Sequence, residues 1–178
     1  MMDFLTKIEK KVLEWFKSIP NLPKSGQKWL GDNIWWLVVI GAIVTGLSAL
    51  FTVGSIVTLL SVLGTHVASY YVSAQFTSWS IVTSIVSLVF LTLEAILLFA
   101  AIQPLKAKQK KGWVLLFASW LVSAASVVIN AILSLNIFGF IISIIFGAVW
   151  IAVLGYFLIQ IHGQFAHVER SRGVKKAK

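Results

Sequence analysis

One carboxyl group stands apart in this chain. Glu94 lies within Ile34 to Gln103, a stretch that holds no other Asp, Glu, Lys or Arg. A carboxyl can take and release a proton, hold a cation, or bond to hydroxyls, according to its protonation state. Glu94 lies nine residues before Gln103, about 13 Å along a helix. An ionised side chain at such a depth in a bilayer costs at least ~2.5 kcal/mol. No Lys, Arg or His lies in any apolar span to pair with it, so the neutral form is the one expected at rest. Two readings follow. Glu94 is either a neutral glutamate that joins helices, or a site for a proton or cation, as intramembrane acids are by default.

Equal depth along the other apolar stretches brings Thr45, Ser48, Ser119, Ser123 and Tyr156 alongside. These donate hydrogen bonds but carry no charge. Glu94, Thr45, Ser48, Ser119 and Ser123 therefore make the candidate proton or cation site. No other constellation carries chemistry. The chain has no cysteine, which excludes disulfides and thiolate metal sites. His162 and His167 are five residues apart, off a common helical face, and no carboxylate cluster joins them as a metal site needs. His66 is isolated, serine chemistry lacks an embedded base, and no phosphate- or dinucleotide-binding glycine pattern occurs. No metal and no cofactor are expected, and an integral membrane enzyme ranks third, behind a scaffold and a transporter.

The elements that must position Glu94 follow from composition. Of the 178 residues, 58% are hydrophobic, against about 45–50% in soluble domains, and the mean hydropathy is +0.91. Two stretches, Ile34 to Gln103 and Trp113 to Val168, are free of Asp, Glu, Lys and Arg apart from Glu94. Each is far longer than the ~20 residues that cross a hydrocarbon core, so each predicts a pair of spans. The boundaries read as about 34–58, 81–102, 113–135 and 137–161. Charge-free sequence continues past 58 to Leu63, about 45 Å in all, so the first span tilts or its outer end protrudes. Trp29, Trp35 and Trp36 stand at its entry as interfacial anchors. Gly64 to Ser80 reads as an outer loop, Pro104 as the stop of the second span, and Ser134-Leu135-Asn136 as a tight turn.

Before the spans, Phe4, Ile8, Val12, Trp15, Phe16 and Ile19 recur at helical spacing opposite Lys7, Lys10, Glu14 and Lys17. Such a helix lies in the membrane interface, or packs on a partner or on the protein's own loops. Residues 1–30 thus read as an interfacial amphipathic helix with its connector, 31–161 as the bundle and 162–178 as a basic tail. All 15 Lys and Arg fall before the first span, in the middle loop or in the tail. That bias places both termini in the cytoplasm. The net charge of +9 makes anionic lipid the expected partner and nucleic acid a poor one. Lys7, Lys10, Lys11, Lys17, Lys106, Lys108, Lys110 and Lys111 are the expected headgroup contacts.

Small and polar residues form a stripe on every span: Gly41, Thr45, Ser48, Thr52 and Ser55; Ser80, Ser84 and Ser87 with Glu94; Ser119, Ser123, Ser126 and Asn130; Gly139, Ser143 and Gly147. Such stripes predict a packing seam, or a polar path along the same line. They also permit a homo-oligomer.

The segment Ile102-Gln103-Pro104-Leu105-Lys106-Ala107-Lys108, followed by Lys111-Gly112-Trp113-Val114-Leu115-Leu116-Phe117, resembles a pattern in small four-span bacterial inner-membrane proteins of unassigned activity. There a Pro and basic residues precede a Gly-Trp that opens the third span. The resemblance implies the four-span fold and a bacterial inner membrane, and no activity. Small multidrug transporters also have four spans and one membrane carboxylate, but theirs is in the first span and no residue is carried over. The expectation is an all-α four-helix transmembrane bundle behind an interfacial helix. Its expected role is a non-enzymatic scaffold or accessory component. The alternative is a small proton-linked transporter or channel using Glu94.

Overall fold

A computed structural model describes residues 8, 11–12, 14–15, 19–64, 74–134 and 137–165, the side chains of 64 and 74–77 excepted. Four helices carry the fold: α1 (Lys24–Gly64), α2 (Ala74–Lys106), α3 (Lys110–Leu133) and α4 (Ile137–Gln160). All four are long and apolar enough to cross a membrane, and no strand occurs among the described residues. Neighbours pack in chain order, α1 on α2, α2 on α3 and α3 on α4. Large apolar side chains such as Phe51, Phe138, Phe146 and Trp150 face outward, the arrangement lipid requires.

Both members of the first pair are longer than the sequence expectation. Lys24 opens α1 because Pro23 accepts its first bond, from the Gln27 amide at 3.0 Å, and a proline needs no partner for a missing N–H. At 41 residues α1 is about 60 Å long, twice the ~30 Å of a hydrocarbon core. The second helix starts at Ala74 rather than near Ile81 and runs through Pro104 to Lys106. Loop composition around Gln75 and Trp79 did not prevent helix, because Trp79 packs its indole back on α3 and donates to the Leu133 carbonyl at 2.9 Å.

Pro104 does not stop α2, because it sits in the last turn and removes only one backbone bond. A Schellman closure then ends the helix. The Gln109 amide donates to the Pro104 carbonyl at 2.8 Å and the Lys108 amide to Leu105 at 3.0 Å. Lys108 takes the left-handed position, φ 54°, where glycine is usual and another residue stores strain. Its side chain offsets that strain by bonding to the Gly31 carbonyl and pairing with Asp32.

The core gathers at this lysine-rich end. Leu30, Val38, Ala42, Leu98, Ala101, Leu105, Trp113, Phe117, Leu158, Ile161 and Phe165 are buried together. Val12 joins them with Ile8 packed alongside, whereas Trp15 is 73% exposed. One side of that N-terminal apolar face therefore rests on the protein itself. Phe4 and Phe16 lie outside the described residues, as do Lys7, Lys10 and Lys17.

Gln160, at the end of α4, ties the connector down. Its Oε1 accepts from the Leu22 amide at 3.2 Å and the Gln27 side chain at 3.1 Å, while its Nε2 donates to Asn21 at 3.2 Å. The Tyr156 hydroxyl donates to the Pro20 carbonyl at 3.0 Å. Gln160→Leu keeps the bulk and strands a backbone donor, so a loss of about 1–3 kcal/mol is expected. Hydrogen exchange at Leu22 and Gln27 should quicken; unchanged exchange there would refute the tie.

Candidate functional site

The seam that holds Glu94 forms between α2 and α3. The Ser123 hydroxyl donates to Glu94 Oε1 at 2.6 Å. Two turns toward the lysine-free end, the Ser87 hydroxyl donates to Asn130 Oδ1 at 2.8 Å. The Asn130 amide then donates to the Ser126 carbonyl and hydroxyl at 2.9 and 3.1 Å. Glu94 and Ser87 are seven residues apart, as are Ser123 and Asn130, so both rungs fall on one face of each antiparallel helix. Each helix thus presents an acceptor or a donor where its neighbour presents the complement.

Of the other candidate residues, Ser119 is 3% exposed and lies one turn nearer the lysine-rich end than Ser123. Ser48, on α1, is not brought to Glu94: its hydroxyl bonds the Val44 carbonyl of its own helix at 2.9 Å. Thr45 is half-buried on α1 and makes no bond to Glu94. Thr52, Ser55, Thr58 and Ser61 repeat the backward bond, so from Ser48 on the hydroxyls of α1 are satisfied without a neighbour. Four stripes do not converge. Equal depth failed for α1 because it ranks residues along the membrane normal and says nothing about which way a helix is rotated.

Ser87, Ser126 and Asn130 belong to the packing stripes in the sequence and were absent from the candidate site. Heptad spacing to Glu94 and Ser123 was the available signal. On α4, the stripe is used in part: a Cβ on Gly147 would collide with the Val127 side chain, and, off the stripe, one on Gly155 would come within 2.9 Å of the Trp120 ring. Two indoles fasten α3 to α4, Trp113 to the Leu158 carbonyl at 3.0 Å and Trp120 to Ile151 at 2.9 Å.

The basic surface divides its lysines between two tasks. Lys11, Lys106 and Lys111 are exposed and Lys110 half-buried. Lys106 holds its ammonium 5.2 Å from the Trp35 ring centre. Lys108 is engaged by the Gly31 carbonyl and by Asp32. Among the described residues no group of three His, Cys, Asp or Glu could hold a metal ion.

Comparison of the chain with protein-family models, curated proteins and solved structures gives no match. Its chemistry is read from the chain itself.

Proposed function

We propose that this chain is a multi-pass protein of the bacterial inner membrane with both termini in the cytoplasm, acting as a non-enzymatic scaffold or accessory component at the inner leaflet. The observation that carries this reading is the pairing of the seam: Glu94 with Ser123, and Ser87 with Asn130. Polar groups that serve each other across two helices are glue. The resemblance of the middle loop to small four-span inner-membrane proteins supports the same reading, as does the confinement of all Lys and Arg to one side. Exposed Trp15 and Trp29 beside exposed Lys11, Lys24 and Lys28 suit an interfacial seat on anionic lipid. The N-terminal segment supplies part of that seat, with Val12 buried in the core.

Glu94→Gln keeps the shape and should change stability by no more than about 0.6 kcal/mol, the usual size of an interhelical hydrogen bond in membranes. Glu94→Leu should cost more, since it leaves Ser123 without its acceptor, and a double-mutant cycle with Ser123→Ala should show coupling. Proteoliposomes of the wild-type chain should pass no more protons than lipid alone. A pH-driven flux lost in Glu94→Gln would replace the scaffold by the proton-linked transporter.

A further inference from the structure

No further inference is drawn: the strongest candidate, the exposed groove in the lysine-free half of α1 lined by Leu50, Phe51, Gly54, Ser55, Thr58 and Leu59, is an unpartnered small-residue face on which nothing in the structure shows what, other than lipid, would lie.

Discussion

Gly112→Ala should be the most damaging single-methyl change in the protein. A Cβ at this position would lie 2.6 Å from the Leu105 amide nitrogen and 2.8 Å from the Pro104 carbonyl carbon. These are backbone atoms of the helix end itself, so no side chain can swing aside. Room can come only from parting α2 and α3 at their turn, or from undoing the Schellman closure at Lys108. Forcing extra methylenes into packed sites costs typically ~1–3 kcal/mol, and a backbone collision belongs at or above the top of that range. The measurement is chemical unfolding in detergent or nanodiscs, with proteolysis of the 106–111 turn as a local readout. Gly41→Ala is the control: nothing lies within 4 Å of the Cβ it would add, and alanine is the better helix former by up to about 1 kcal/mol. If the two variants unfold alike, the close approach at Gly112 is not what fixes the hairpin.

Trp113→Ala should follow closely. Trp113 is 1% exposed, stacks on Phe117 at 5.2 Å, meets His162 edge-on at 4.7 Å and donates to the Leu158 carbonyl at 3.0 Å. In a soluble core such a truncation costs about 3–5 kcal/mol. Lipid tails are as apolar as the side chains they would replace, which shrinks the transfer part. The cavity and the lost contacts remain, so a loss near the lower end, about 3 kcal/mol, is expected. Trp113→Phe should recover part of it, keeping a ring on Phe117 and losing only the indole donor. Trp150→Ala, at a position 60% exposed, should stay within about 0.5 kcal/mol. Equal losses at Trp113 and Trp150 would mean that α4 is not seated on α3 as described.

Four helices long and apolar enough to span, and a single carboxyl within their otherwise charge-free stretches, were legible from the residues alone. Apolar run length is a one-dimensional property, and a bilayer responds to it directly. The partner of Glu94 was partly legible: Ser123 was named, on depth alone. Thr45 and Ser48 were named on the same ground and are elsewhere, because the rotation of α1 about its axis leaves no mark on depth. The limits of α2 were missed at both ends for a related reason. Tryptophan among small polar residues reads as loop, and proline as a stop, until Trp79 is seen to cap Leu133 and Gln109 to close on Pro104.

The sequence by itself determined which segments can enter a membrane and where the charge lies, since both depend on side-chain solvation summed along the chain. Only the tertiary structure decided which polar residues meet. Of the four stripes it joins those of α2 and α3 rung to rung, leaves that of α1 bonding its own carbonyls, and spends Gly112 on contact with the Leu105 backbone. A hydroxyl in an apolar helix has two ways to be satisfied, by its own carbonyl a turn back or by a neighbour. Their energies are close, and helix rotation and approach, fixed by packing across the whole interface, select between them.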